Sequence, residues 1–160
     1  MTKKLVALLM TLVMLLSVSA LAESDDGTLV LEEAQLSFTL PEDLIAQEVS
    51  DEQYEGGVLF VATREDQSFT MMVYYPGIED ATLEEVKAEL ETQEGYNLAA
   101  TTLNGMDVLA FNTVQDEQKV YGVLAMGADN RVYQFMFTMA DEADVTVADQ
   151  IMATLTAVTE

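Results

Sequence analysis

Carboxylates are the only abundant chemistry in this chain. Its 160 residues include 29 Asp or Glu against six Lys or Arg, with no His and no Cys. Without imidazole there is no ordinary general base near neutral pH and no Ser-His-Asp triad. Without thiolate there is neither a Cys nucleophile nor a Cys-based zinc cluster. What remains is a carboxylate pair of the glycosidase kind, a Ser/Lys arrangement, or an oxygen cage for a hard cation. Beyond Lys3 and Lys4 the only lysines are Lys87 and Lys119, and neither stands in a Ser-x-x-Lys motif.

Two acidic groups have the loop chemistry a calcium site needs. Asp51, Glu52 and Glu55 precede Gly56-Gly57, and Glu79-Asp80 follow Pro76-Gly77. Neither carries the alternating ligands, central Gly and final Glu of an EF-hand loop. At this acidity such clusters arise from composition alone. A sugar-cleaving site would also usually offer indole platforms, and Trp is absent. No catalytic, cofactor-binding or metal-ligating residue is therefore assigned, and the chain is expected to be no enzyme and to need no cofactor. Weak divalent-cation binding stays open.

Tyrosines are the remaining polar candidates. Tyr74-Tyr75 and Tyr121 sit in alternating apolar runs. On a sheet covered on both sides, one member of each alternating pair should be core with its hydroxyl reaching the surface. A ligand groove between sheet and helix is the alternative. Met71, Met72, Met106, Met126, Met136, Met139 and Met152 fall within predicted strands or the last helix, where gap filling accounts for them.

The elements that must position these residues centre on Val120–Met139, two short apolar runs around a GADN turn. In the second run Tyr133, Phe135, Phe137 and Met139 share one face, and Val132 and Met136 share the other with Gln134 and Thr138. Two apolar faces require cover on both sides, so this hairpin is expected at the centre of a layered domain. Upstream, 28–31, 35–40, 58–63 and 68–75 read as strands, with a turn at Pro41 and a further extended stretch at 45–49. Residues 50–57 read as an acidic loop. Thr82 and Glu85 form a capping box for a helix whose stripe is Leu83, Val86 and Leu90, with Gly95 at its expected C-terminal cap. Asn104-Gly105 takes the positive φ values of a type I′ turn between strands 96–103 and 106–113, and Asp116-Glu117 form the next loop. Asp141 or Asp144 caps a last helix with Val147, Ile151, Leu155 and Val158 as its stripe.

Ahead of all this, Lys3-Lys4, the apolar run from Leu5 and the Ala20-x-Ala22 pair have the three parts of a secretory signal peptide spanning 1–22, with an uncleaved signal anchor as the alternative. Cleavage would leave 23–160 as a single domain. It takes Lys3 and Lys4 away and leaves four basic residues against the same 29 acidic ones, a net charge of −25. Export without disulfides fits a bacterial product of this length. Such charge disfavours nucleic acid and anionic membrane surfaces as partners.

The stretches LSFTLPEDL (36–44), ATLEEV (81–86), LNGMDVLAF (103–111) and VYQFMFT (132–138), followed by an amphipathic helix, resemble the Mog1/PsbP-like family. That resemblance implies an α+β fold: an antiparallel sheet of about six or seven strands with helices packed on both faces, an α-β-α sandwich. It also implies partner binding, as in photosystem II extrinsic subunits and a Ran-binding factor, in a family that includes many exported bacterial members of unknown role. The matched stretches are strand starts, a turn and a cap, so no binding residue carries over. The expectation is a secreted, non-enzymatic binding or accessory domain whose partner is another protein. A Ca²⁺-dependent envelope module is the alternative, and a carboxylate-based hydrolase stands third.

Overall fold

A computed structural model describes residues 21–23, 27–93, 96–115 and 118–158. Most of the expected signal peptide, the expected cap at Gly95 and the expected loop at Asp116-Glu117 lie outside the described residues. The described residues form two antiparallel sheets. The larger contains β4 (Ile45–Gln47), β5 (Val58–Thr63), β6 (Phe69–Tyr74), β7 (Asn97–Leu103), β8 (Met106–Gln115), β9 (Gln118–Met126) and β10 (Val132–Met139). Its order is β4-β5-β6-β10-β9-β8-β7, which puts β10 in the middle of seven strands, as its two apolar faces require.

The smaller sheet was not expected. The N-terminal strands, read above as part of one sheet, instead form a separate four-stranded sheet: β1 (Leu21–Glu23), β2 (Thr28–Leu31), β3 (Leu36–Thr39) and β11 (Thr156–Ala157), in the order β1-β2-β3-β11. Alternation in β2 and β3 shows a buried face but does not say which sheet it joins. The expected cleavage point after Ala22 falls inside β1, where Leu21 lies opposite Leu31 and Ala22 opposite Val30.

Among the described residues three α-helices accompany the sheets: α1 (Asp51–Glu55), α2 (Leu83–Leu90) and α3 (Val145–Ala153). α1 replaces the loop expected at 50–57. Ser50 and Gln53 form a reciprocal capping box there, and Gly57 takes a φ of 94° as the chain leaves the helix. α2 starts at the predicted Thr82–Glu85 box, and its C-cap is Glu91. α3 is shorter than its predicted stripe. It ends at Ala153; Leu155 is still fully buried, but Val158 lies beyond β11 and is exposed.

Two apolar clusters sit on the two faces of β10. The larger joins Leu29, Leu36 and Phe38 of the small sheet to Phe60, Met71, Phe135 and Phe137 of the large one, with Ile151 and Met152 of α3. Phe38 meets the edge of Phe135 at 5.6 Å between ring centroids and of Phe60 at 5.9 Å. Each such buried ring contributes about 1.5–3 kcal/mol through area removed from water. The smaller cluster joins Val86 of α2 to Leu109, Phe111, Val120, Leu124 and Val132. Among the described residues no polar or charged side chain is buried.

Candidate functional site

Tyr121 lies where β8, β9 and β10 run out from under α3. Cross-strand pairing puts Asn112 and Phe137 on either side of it, and Val114 and Met139 on either side of Lys119. Directly opposed residues share a sheet face, so these six side chains form one surface. Val145, the first residue of α3, and Glu142, in the 3₁₀ turn before it, close the other side. The result is an open groove of about 620 Å³ lined by Asn112, Val114, Tyr121, Met139, Glu142 and Val145 among others.

The floor of this groove is apolar. Tyr121 stacks on the buried Phe137 ring at 5.9 Å and 26°. Partial burial pushes its phenol up, and the Asp149 carboxylate adds to the rise through its charge and a hydrogen bond. Lys119 and Glu142 form an ion pair at the mouth. Val114 stands 64% exposed at the open end. Such a groove can take an apolar side chain and offer its guest a phenol and a charged rim.

The other candidates are placed differently. Tyr74 and Tyr75 were expected to supply one core side chain; both are half-exposed, and the buried positions of β6 are Phe69, Met71 and Val73. Burial on this strand ends at Val73 because Pro76-Gly77 turns the chain away. Tyr75 donates a 2.6 Å hydrogen bond to Glu79 Oε1, and Arg131 lies over the Tyr75 ring at 5.3 Å. Arg131 also donates to Glu79 Oε1 at 3.1 Å and to Glu33 Oε2 at 3.3 Å. Tyr133, the buried tyrosine, donates to Asp129 at 2.6 Å, and burial followed by that carboxylate raises its phenol strongly. This cluster joins three loops and was invisible in the sequence because 33, 79 and 131 are far apart in the chain.

Asp51, Glu52 and Glu55 lie on α1, none of whose residues is buried. Glu79 faces Arg131 and Tyr75, and Asp80 holds its place by a backbone bond to Asn130. Among the described residues no group of three or more His, Cys, Asp or Glu side chains is placed to hold a metal ion. Lys87 pairs with Glu91 one turn along α2. Among the described residues the carboxyls with displaced pKa values, Asp66, Glu79 and Glu85, are all held below the ordinary range. Hydrogen bonds are the largest cause in each, from Ser68, Tyr75 and Thr82 respectively.

The comparison that bears on this arrangement is structural. The solution structure of cyanobacterial PsbP (CyanoP) from Synechocystis sp. PCC 6803 matches with a TM-score of 0.59 at 15% identity, over 81% of this chain and 91% of that one. The fold is PsbP-like. A crystal structure from Bacteroides thetaiotaomicron VPI-5482 matches at 0.54 and 17% identity, over 86% of this chain and 50% of that one. LpqN of Mycobacterium tuberculosis, described as involved in cell envelope biogenesis, matches at 0.48 and 16%, over 78% of this chain and 83% of that one. No family model matches the sequence, and no curated protein matches it. At these identities the PsbP-like likeness is one of fold alone, and a fold of this kind leaves function to be argued from the site. Among the described residues no helix is long and apolar enough to cross a membrane.

Proposed function

We propose that this chain is an exported, non-enzymatic accessory module that acts at or beyond the cell envelope by binding another protein through the Tyr121 groove. The observation that carries this reading is the groove's make-up: an apolar lining of Val114, Tyr121, Met139 and Val145 whose charged neighbours, Lys119 and Glu142, neutralise each other. Guests that suit it are apolar protein side chains rather than polyanions. The signal-peptide features of residues 1–22 support export, and the net charge of −25 after their removal argues against nucleic acid and anionic membranes. Catalysis by carboxylates would need one acid held protonated near neutral pH, whereas the displaced carboxyls among the described residues are all lowered.

In this reading the body is an α-β-α sandwich that holds the groove rigid. The reading is supported by α2 contributing Val86 to one cluster and α3 contributing Ile151 and Met152 to the other. The test is a photoreactive amino acid at Val114 in cells that export the protein. A discrete cross-linked envelope protein is expected, absent when the probe sits at Glu89 and reduced by Val145→Glu. The same adducts from both probe positions, or none from Val114, would overturn the assignment.

A further inference from the structure

Among the described residues β7 is an edge of the large sheet, and its composition does nothing to blunt that edge. Its seven residues, Asn97–Leu103, carry no charge and no proline, although the chain holds 29 acidic residues. Asn97, Ala99, Ala100, Thr101 and Thr102 are exposed, and only Leu98 and Leu103 are half-buried. Its pairing with β8 runs unbroken from Asn97 opposite Asn112 to Leu103 opposite Met106, with no bulge to bend it away. Sheet edges are normally blunted by charge, proline, bulges or shortness. The opposite edge, β4, has only three residues and is followed closely by Glu48.

Chemistry beside β7 adds a sign. A groove of about 710 Å³ runs between β7, β8 and α2, with Leu83, Ala100, Leu109 and Met126 as apolar lining and Glu84 and Asp107 as carboxylates. Lys87, also on this groove, is paired with Glu91. Thr102 lies directly opposite Asp107 and Ala100 opposite Leu109, so one face of β7 leads into this acidic groove. We infer that β7 is a strand-addition site for an extended segment of a partner protein in which apolar residues alternate with Lys or Arg. Outward N–H and C=O groups of β7 would pair with the added strand, and its cations on the α2 side would meet Glu84 and Asp107.

A second copy of the chain is the other obvious occupant, and charge opposes it. Antiparallel pairing of two β7 strands about a two-fold axis sets both acidic α2 helices on one face of the joint sheet, in molecules that each carry −23 before any cleavage. The inference rests on the binding-module reading in needing a protein partner. Its surface is separate from the Tyr121 groove, so cross-linking at Val114 stands or falls independently.

The test titrates ¹⁵N-labelled protein with a short peptide of alternating Val and Lys. A version N-methylated at every second residue, which cannot donate along one edge, serves as the control. The expected result is shifted β7 amides, slowed exchange of the outward β7 N–H groups, and binding weaker by about tenfold or more for the methylated peptide. Thr101→Lys, a solvent-facing change that leaves the core alone, should weaken the unmodified peptide similarly while spectra outside β7 stay unchanged. Equal binding of both peptides, with shifts spread over α2, would reduce the effect to non-specific attraction and overturn the inference. So would sedimentation showing a dimer with β7 amides already protected.

Discussion

Gly122 on β9 lies directly opposite Phe111 on β8, and a Cβ added at Gly122 would stand 2.2 Å from the Phe111 ring Cζ. The missing side chain is the space the ring occupies. Phe111 is almost fully buried there and packs against Tyr96 at 5.7 Å. Gly122→Ala should therefore destabilise by about 1–3 kcal/mol through overpacking, read as a lower urea midpoint. In a Phe111→Leu background the same change should cost about 1 kcal/mol less, since neighbouring substitutions couple. Equal costs in both backgrounds would show that the ring is not the obstacle.

Arg64 ties three separate segments together. Its Nε donates to Asp43 at 2.8 Å in the turn after β3, one Nη donates to Asp144 at 2.7 Å ahead of α3, and the guanidinium lies 5.3 Å over Phe69. Asp144 and then Asp43 hold the guanidinium more firmly protonated than usual. Arg64→Ala should cost about 1–2 kcal/mol, the worth of charged hydrogen bonds discounted for partial exposure. Arg64→Lys should recover only part of that, because an ammonium cannot fork between two carboxylates. Thermal unfolding of the three proteins checks both statements.

Glu79 gives the clearest pH dependence. Tyr75 and then Arg131 hold its carboxyl below the ordinary value of 4.5. A depressed acid contributes stability that is fully present above its unfolded pKa and is lost as pH falls through its folded pKa. Tyr75→Phe should therefore destabilise at neutral pH, and the difference from the parent should close below pH 4.5. An NMR titration of the Glu79 carboxyl should show its midpoint rising in the variant. An unmoved midpoint would assign the depression to Arg131 alone.

Local signals were readable in the sequence where one segment contains the whole interaction. The Thr82–Glu85 box, the Asn104-Gly105 turn and the alternation of Tyr133, Phe135, Phe137 and Met139 are of this kind, and the structure has all three. Ser50 and Gln53 carry the same box signature, but the acidic run around them reads as a loop, and α1 was missed. Asp144 was a reasonable cap for α3; its side chain is spent on Arg64, and Asp141 instead caps the 3₁₀ turn through Ala143. The second sheet escaped because β11 has only two residues and owes its pairing to β3, more than a hundred residues upstream. The sequence offered a groove between sheet and helix only as the alternative to packed core for Tyr74, Tyr75 and Tyr121 together, and did not single out Tyr121. The walls of the Tyr121 groove, Val114 and Val145, come together through tertiary packing that periodicity does not encode.

Asn104 combines a role the sequence announces with one it conceals. Its φ of 48°, followed by 82° at Gly105, forms the turn between β7 and β8. Its side-chain amide also donates to the carbonyls of Ala153 and Leu155, each at 2.8 Å, where α3 ends. Those two oxygens belong to the part of the chain that turns from α3 into β11, and helix-end carbonyls have no partner within the helix. Asn104→Gly keeps the turn, since glycine accepts a positive φ, but removes both donors. Asn104→Asp also tolerates that φ and puts a carboxylate against two carbonyl oxygens. The Gly variant should lose about 1–2 kcal/mol, and the Asp variant more. Hydrogen exchange should localise the loss to α3 and β11 rather than to the β7–β8 turn. Faster exchange confined to the turn would mean that Asn104 matters only for its backbone.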